Sequence, residues 1–461
     1  MFARGVGLVG EGDLGGFGDL RLRHVGSSLL GALQAHPTVC LRALARDRAQ
    51  AVQFGRFLAN PVVSAGEMLA HAGQVTAGRV AGRHVLAVQD TTELHFSGGT
   101  ARKRGFGASG NGAGAGLFLH PVLAVDAGHG GILGLVDAEV LNRTGGKAAP
   151  RRGRAADAKE SRRWLRGAEA AGSVLEGAGA VTVVGDAESD VYDAFARWPG
   201  GVHMLCRAGQ DRALAEGGLL AAAVAAWPER DRCEVAVPQR GARPARTATV
   251  ALRWGEVGLA RPATASRGLA ASVALRVVDA AEVDAPAGEA PLHWCLLTTH
   301  AVDSSDQARA AVGWYRARWT IEQVFRTLKS AGSQVEASQV PEARRFVKLA
   351  TAALIAAVRA MQLVMARDGG TGQPLSDAAD AADAPMLQAV CAKVEGRTAA
   401  LKNPHAPDTL AWLAWIAARL GGWSGYRSKG YKPPGPLTVT RGLAKLDAIA
   451  QGWTLARSGY V

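Results

Sequence analysis

Three carboxylates in the sequence have the positions that phosphodiester chemistry requires. Asp90 ends an apolar, strand-like run, HVLAVQD, and Asp186 ends a second such run, AVTVVGD. Glu322 lies in the segment 314–330, WYRARWTIEQVFRTLKS, whose apolar residues recur at helical spacing. Acids at strand ends and on a packed helix can converge on one point, and carboxylate oxygens bind Mg²⁺ while leaving positions open for phosphate oxygens. Two such ions about 4 Å apart can activate a water and stabilise the leaving oxygen in phosphodiester cleavage, which is the chemistry that these acids could support.

The segment 314–330 also predicts where its polar side chains lie. At 100° per residue they fall on one narrow stripe beside the apolar stripe. The polar stripe consists of Tyr315, Arg318, Glu322 and Lys329. The apolar stripe consists of Trp314, Ala317, Ile321, Val324, Phe325 and Leu328. A solvated helix face would scatter its charges more widely, whereas this segment aligns a phenol, a guanidinium, a carboxylate and an ammonium beside the buried stripe.

Each acid taken alone also has a structural explanation. Asp90 precedes two threonines and would form an Asx turn or a helix cap. Asp186 in GDAESD would cap the N-terminus of a helix. Glu322 would pair with Arg318 or Arg326, each four residues away on the same helix.

The charge balance points to a polyanionic partner. The chain has 461 residues, a formal net charge of +13 and 53 basic residues, of which only ten are lysine. Arginine pairs with phosphate through a planar fork, so its excess favours nucleic acid as a partner. A solvated basic surface on a chain enriched in Ala, Gly and Arg explains the same numbers. With 48% hydrophobic and 20% charged residues the chain is globular.

The cysteines and the apolar segments predict the compartment. Five cysteines, an odd number without metal-site spacing, indicate reduced thiols. The N-terminus has no signal-peptide pattern. The longest apolar stretch, 349–366, is rich in alanine and interrupted by Arg359, so we expect a buried helix instead of a membrane span. These features predict a cytoplasmic protein without a membrane partner.

Changes of pattern divide the chain into three predicted domains. Residues 1–75 are Gly-rich and then helical, with Ser64 expected to cap a helix; 76–368 alternate strands and helices; 369–461 are helical. Within the second domain, residues from about 220 to 300 form β-like runs joined by Pro and Gly turns, which predicts an all-β insertion. The expected architecture is an α/β mixed sheet with helical N- and C-terminal domains.

With these motifs, the chain resembles the DDE transposases of bacterial insertion sequences, in the fourth insertion-sequence family and in the branch that includes the transposase of transposon five. The branch is marked by Tyr-x₂-Arg-x₃-Glu-x₆-Lys, which the chain meets at Tyr315, Arg318, Glu322 and Lys329. VQDTT with Asp90 and GDAESD with Asp186 are similar to the blocks of the first two acids. PLHWCLLT, GDLRL, FLANPVVS and AARLGGW extend the resemblance over nearly the whole chain.

The resemblance implies a ribonuclease-H-like catalytic core in which Asp90, Asp186 and Glu322 hold Mg²⁺, with Mn²⁺ as a substitute. It also implies DNA phosphate contacts near the scissile bond. These contacts would come from Tyr315, Arg318, Arg326, Lys329 and Arg207. Arg326 stands where relatives often carry lysine, so the charge is kept. Arg207 is equally explained as a sheet-edge arginine paired with an acid.

Trp294, in PLHWCLLT at the end of the β insertion, has two explanations. The resemblance implies that it stacks on a base flipped out of the cleaved DNA end, which lets the free 3′-hydroxyl close a hairpin. In a strand, however, Trp294 shares a face with Leu292 and Leu296, so it would also pack in the core of the insertion.

Other residues in similar positions have simpler explanations. His120, in a strand, is expected to be a structural histidine, and the block AKESRRWL is expected to form a helix with one buried face. That block includes Lys159, Glu160 and Trp164. Loop arginines with the same ambiguity between DNA contact and solvation are Arg151, Arg152 and Arg154.

The resemblance implies a cut-and-paste DNA transposase, an endonuclease that binds double-stranded DNA at terminal inverted repeats. It would cleave the DNA ends by two-metal phosphodiester hydrolysis, through a hairpin, and transfer the 3′-hydroxyl ends into target DNA as a synapsed homodimer associated with the bacterial nucleoid. Two rival functions stay open. One is a retired transposase derivative that holds DNA without cutting it. The other is a general ribonuclease-H-like nuclease, against which the β insertion and the N-terminal blocks argue.

Overall fold

The computed structural model describes residues 13–96, 103–109, 114–143, 160–239, 244–330, 332–425 and 432–457. Several residues singled out above lie outside these ranges. They are Lys159 and the loop arginines Arg151, Arg152 and Arg154.

The described part of the chain begins with four helices, and short polar side chains cap the N-termini of the first, third and fourth of them. They are α1 (Leu20–Ala35), α2 (Leu41–Leu44), α3 (Arg48–Ala59) and α4 (Ala65–Ala77). Ser64 Oγ accepts the backbone N–H of Glu67 at 3.0 Å, which confirms the predicted cap. Asp47 caps α3 in the same way.

A mixed sheet of eleven strands follows in the described part of the chain, which confirms the α/β class. The strands are β1 (His84–Gln89), β2 (Thr92–Phe96), β3 (Gly107–Ser109), β4 (Gly114–Asp126), β5 (Ile132–Leu141), β6 (Ala180–Gly185), β7 (His203–Arg207), β8 (Asp231–Val237), β9 (Arg246–Ala260), β10 (Ser272–Val283) and β11 (His293–Thr298). Their order is β2-β4-β1-β6-β7-β11-β10-β9-β8, and β3 and β5 also pair with β4. Strands β1, β6 and β7 are parallel to one another, and the other pairs are antiparallel.

The β-like runs between residues 231 and 298 form four antiparallel strands, β8 to β11, as their turn spacing predicts. They continue the same sheet, because β11 pairs with β7 at Leu297 and Cys206. Arg207 and Trp294, two of the predicted DNA contacts, therefore lie on neighbouring strands.

The remaining helices cover the sheet and form the C-terminal region. They are α5 (Arg163–Val174), α6 (Tyr192–Phe195), α7 (Leu220–Ala225), α8 (Ser305–Ala317), α9 (Trp319–Lys329), α10 (Ala343–Ala366), α11 (Ala384–Val394), α12 (Leu410–Leu420) and α13 (Pro436–Arg457). The segment 314–330 is thus divided between α8 and α9. Arg318 lies between them and keeps helical angles, with φ −53° and ψ −34°. Its backbone N–H donates to the Tyr315 carbonyl and its carbonyl accepts the N–H of Ile321, so the turn here has the i to i−3 bonds of a 3-10 helix.

Helix α10 is central to the hydrophobic core. By length and composition it is apolar enough to cross a membrane, but 83% of its most apolar stretch is buried inside the fold, as expected for a core helix of a soluble protein. One continuous core joins side chains of the N-terminal helices, the sheet, α10 and α12, including Phe54, Leu86, Phe346 and Leu413. All five cysteines lie in the described part of the chain, and none of them forms a disulfide.

Candidate functional site

Asp90 leaves the sheet because the strand ladder is interrupted at this residue. Strand β4 pairs with β1 from Val122 onward and with β2 up to Leu119, which leaves Pro121 opposite the interruption. Proline has no backbone N–H to donate to a ladder. Asp90 Oδ1 accepts the backbone N–H of Thr91 at 2.7 Å, one residue on instead of the two residues of an Asx turn, and a strand begins at Thr92, so neither the predicted Asx turn nor the predicted helix cap is observed.

Asp186 follows β6 directly and caps a 3-10 turn. Its Oδ1 accepts the backbone N–H of Glu188 at 2.8 Å, so the predicted capping role is observed. Because β1, β6 and β7 are parallel neighbours, their carboxyl ends meet at one edge of the sheet. Asp90, Asp186 and Arg207 all lie at that edge.

Arg318 joins two of the three acids. Its Nη1 donates to Asp90 Oδ2 at 2.8 Å, and its Nη2 donates to Glu322 Oε1 at 3.2 Å. The Arg318 side chain is only 10% exposed, whereas that of Glu322 is 38% exposed. The predicted pairing of Glu322 with Arg318 is therefore present, and the same guanidinium also reaches the end of β1.

The electrostatics indicate that all three carboxylates share one region. Burial, and next the charges of Asp186 and Glu322, raise the pKa of Asp90 to about 6, against the opposing effects of the Thr91 backbone amide and of Arg318. Burial lowers the pKa of Arg318, but Tyr315 and the three acids outweigh burial and leave that pKa raised. The three predicted acids therefore lie near enough to influence the same groups electrostatically.

Tyr315 is buried beneath the site instead of lying on its rim. Its side chain is 3% exposed, and burial raises its pKa, while the charges of Arg318 and Arg207 oppose the rise. Its ring lies edge-on to Trp294, with ring centroids 5.7 Å apart. Trp294 is partly buried against the main core together with Leu292, so the predicted packing is observed. The base-stacking role of Trp294 stays a prediction.

Two predicted phosphate contacts lie further along α9. Lys329 Nζ is 3.7 Å from Glu336 Oε1, and both side chains are about one-third exposed. Arg326 is exposed on the same helix, and Arg207 is exposed at the end of β7. The polar stripe predicted for the segment 314–330 therefore runs from a buried phenol to a partly exposed ammonium.

A buried hydrogen-bonded network holds Gln89 and Thr91, the two residues that flank Asp90. Arg163 Nε donates to Thr91 Oγ1 at 2.9 Å, so the Thr91 hydroxyl is free to donate to His120 Nδ1, also 2.9 Å away. His120 Nε2 then carries the proton and donates to Gln89 Oε1 at 3.1 Å, and Gln89 Nε2 donates to the Trp164 carbonyl. Burial, and next the charge of Arg163, lower the pKa of His120 to about 3. This confirms the structural explanation of His120.

Two residues near the acids were not predicted as site residues from the sequence. Arg163 Nη2 contacts Glu188 Oε2 at 2.9 Å while its Nε holds Thr91, so it links the turns that follow Asp186 and Asp90. No spacing rule separates Arg163 from the arginine before it. Trp319 is 50% exposed, and its ring centroid lies 5.4 Å from the Arg318 guanidinium.

The donor set suits a hard divalent cation, because three carboxylates supply only oxygen ligands. As the side chains stand, no three His, Cys, Asp or Glu groups within the described ranges lie close enough together to hold a metal ion. In this arrangement the Arg318 guanidinium occupies one oxygen of Asp90 and one oxygen of Glu322. The residues therefore fit the ion in chemistry, on the condition that Arg318 moves.

Comparison with known families does not assign the chain: no protein-family model matches it.

Proposed function

We propose that the protein is a DDE transposase of an insertion sequence, with a ribonuclease-H-like core and a magnesium-dependent DNA-cleavage site. The observation that carries the proposal is the convergence of three acids from distant parts of the chain. Arg318 contacts Asp90, 228 residues away, and Glu322 on its own helix. Asp186 acts on the same carboxyl group, since its charge raises the pKa of Asp90.

The topology supports the proposed core. Part of the sheet has the order β5-β4-β1-β6-β7, in which three parallel strands are followed outward by two antiparallel ones. Two of the acids follow the first two parallel strands, and the third lies on α9 beyond the inserted strands. This arrangement is compatible with a ribonuclease-H-like fold.

In this proposal, Asp90, Asp186 and Glu322 would hold Mg²⁺ ions. When bound, such ions lower the pKa of a water and stabilise the leaving oxygen of a phosphodiester. The chain itself would orient the DNA strand. Arg318 and Arg207 lie where a backbone phosphate could be held, and arginine binds phosphate through two parallel N–H groups. The resulting 3′-hydroxyl would attack target DNA.

The regions around the core have roles in the same proposal. The helices α1 to α4 would read the terminal repeats, and α11 to α13 would pair two protomers on two DNA ends. The net charge of +13 agrees with a polyanionic partner. Counterion release then predicts DNA binding that weakens steeply with added salt.

The test is cleavage of a supercoiled plasmid that carries the element's own ends, with Mg²⁺ or with EDTA. We expect Asp90→Ala, Asp186→Ala and Glu322→Ala each to lower cleavage by about 10³-fold or more while binding of the ends persists. Asp303→Ala is the matched control, because this acid is 70% exposed in the loop before α8. Near-normal cleavage by any of the three variants would remove that residue from the metal site.

A second candidate is a DNA-binding derivative that no longer cuts. The observation in its favour is that Asp90 and Glu322 are both engaged by Arg318. Such a protein would bind the ends but leave them uncut in both Mg²⁺ and Mn²⁺. The DNA that flanks the reading frame separates a mobile element from a host gene, because short inverted repeats bounded by a direct duplication mark an insertion.

A further inference from the structure

The hydrogen bonds of Arg318 leave one of its buried donors unsatisfied. Its Nη atoms contact Asp90 and Glu322, but its buried Nε has no hydrogen-bond partner among the described residues. The buried Arg212 is different, because its Nε donates to the Asp190 carboxylate and its Nη2 donates to the Asp190 carbonyl, both at 2.6 Å. The ion pairs of Arg318 thus leave one buried donor unused.

The two carboxylates that Arg318 contacts are also two of the three that would hold the divalent cation in the proposed function. A guanidinium and a metal ion are both cations and do not share the same oxygen positions. Released from the acids, Arg318 has the planar fork that binds a phosphate, and its position at the start of α9 keeps it beside the site. It is therefore suited to exchange one anionic partner for another.

On the basis of the proposed function, we propose that Arg318 takes the place of the divalent cation in the free protein and moves to a DNA phosphate when the cation binds. Arg318 then has one task before the ion arrives, keeping the like-charged Asp90 and Glu322 together, and another afterwards. In thermodynamic terms the cation and DNA bind cooperatively, and Arg318 transmits the coupling. Coupling between two sites is typically about 5- to 150-fold in affinity.

The first measurement uses the full-length, DNA-free protein and Mn²⁺ alone. Free Mn²⁺ is followed by electron paramagnetic resonance for the wild type and for Arg318→Ala and Arg318→Lys. We expect both variants to bind Mn²⁺ about 5-fold or more tightly, because the competing fork is gone. Arg318→Lys keeps the positive charge, so it separates competition from simple charge removal. Arg309→Ala is the control, since this arginine pairs with Asp231 at the surface and is 50% exposed.

The second measurement is DNA affinity with and without Ca²⁺ at constant ionic strength. We expect Ca²⁺ to tighten binding of the end DNA by wild type and by Arg309→Ala, and to have little effect on either Arg318 variant. Circular dichroism and thermal unfolding show which variants are folded, and Arg318→Lys carries the test if Arg318→Ala is not.

Weaker or unchanged Mn²⁺ binding by the folded Arg318 variants would overturn the inference, because Arg318 would then orient the acids without competing for them. Undiminished coupling in those variants would overturn it as well. Failure of the proposed function has a different signature. In that case, the wild type neither binds nor cleaves end DNA, whatever the Mn²⁺ titration shows.

Discussion

Asp190 and Arg212 form a buried ion pair that ties the turn after Asp186 to the turn after Arg207. The two side chains are 0% and 6% exposed, and Arg212 Nε lies 2.6 Å from Asp190 Oδ1. Asp190 Oδ2 also accepts the backbone N–H of Gly209 at 2.8 Å. Because β6 and β7 are neighbours, this pair holds both strand ends of the proposed site in place.

Breaking this pair is expected to destabilise the protein strongly. Asp190→Asn leaves the Arg212 guanidinium buried without a counter-charge, which typically costs about 3–5 kcal/mol of unfolding free energy. Urea unfolding at pH 7 measures the loss. The comparison is Arg309→Ala, which removes the exposed pair with Asp231 and is expected to cost less than about 1 kcal/mol. Equal, small losses would mean that the buried pair does not hold the turns.

His120 predicts a pH dependence of stability. Its pKa in the folded protein is lowered to about 3, whereas an unfolded chain has a histidine pKa of about 6.5. Between these values the unfolded state binds the proton and the folded state does not. The unfolding free energy therefore falls as the pH drops from about 6.5 towards 3, by at most about 1.4 kcal/mol per pH unit for this group. It is unaffected by His120 above that range.

The measurement is chemical unfolding of wild type and His120→Gln at several pH values between 4 and 8. We expect the difference between the two to shrink or reverse on acidification, because glutamine does not titrate. His36→Gln, a change at an exposed histidine after α1, serves as control. A difference that is constant with pH would show that folding does not lower the pKa of His120.

Trp294 is expected to act after the first nick. An aromatic face gives an unstacked base about 1–3 kcal/mol, so Trp294→Ala should slow hairpin formation by roughly 5- to 150-fold and leave nicking intact. Trp294→Phe should lose less. Gel analysis of nicked and hairpin products measures both steps. Because Trp294 also contacts Tyr315 and the main core, thermal unfolding must accompany the assay. Equal loss of both products, or an unfolded Ala variant, would favour the packing role alone.

Lys329 and Glu336 form an ion pair in the free protein. Glu336 therefore competes with a DNA phosphate for Lys329, and variants of the two residues should change DNA affinity in opposite directions. Lys329→Ala should reduce the slope of log affinity against log salt by about 0.9, the value for one phosphate contact. Glu336→Gln removes the competing charge and keeps the oxygen that accepts the His95 N–H, so it should strengthen binding. Filter binding at several salt concentrations tests both. If both variants kept the wild-type slope of log affinity against log salt, Lys329 would pair only with Glu336 and would not contact DNA.

Local pattern was sufficient for the elements that carry the acids. The strand-like runs before Asp90 and Asp186, the helical spacing around Glu322 and the buried stretch of α10 are all present in the structure. These patterns follow from side-chain period and turn residues, which act over a few neighbouring positions. The class of the sheet follows from the same local signals, because helices alternate with strands before the run of inserted strands.

The burial and the contacts of these residues could not be predicted from local sequence patterns. Tyr315 and Arg318 share a helical stripe with Glu322, yet burial separates them from Lys329, because the apolar core closes over the start of α9. The single-residue break at Arg318 is also invisible in the spacing. Burial depends on which elements pack against a helix, and the helix's own period does not contain that information.

The contacts of Arg318 and His120 show the physical reason most directly. A helical period predicts that Arg318 can reach Glu322 four residues on, and the structure adds Asp90, 228 residues away. The chain of hydrogen bonds from Arg163 to Gln89 likewise joins a helix and two strands. Hydrogen-bond spacing along the backbone is a local property of the sequence. Contacts between distant segments depend on strand register and packing, which arise only when the whole chain has folded.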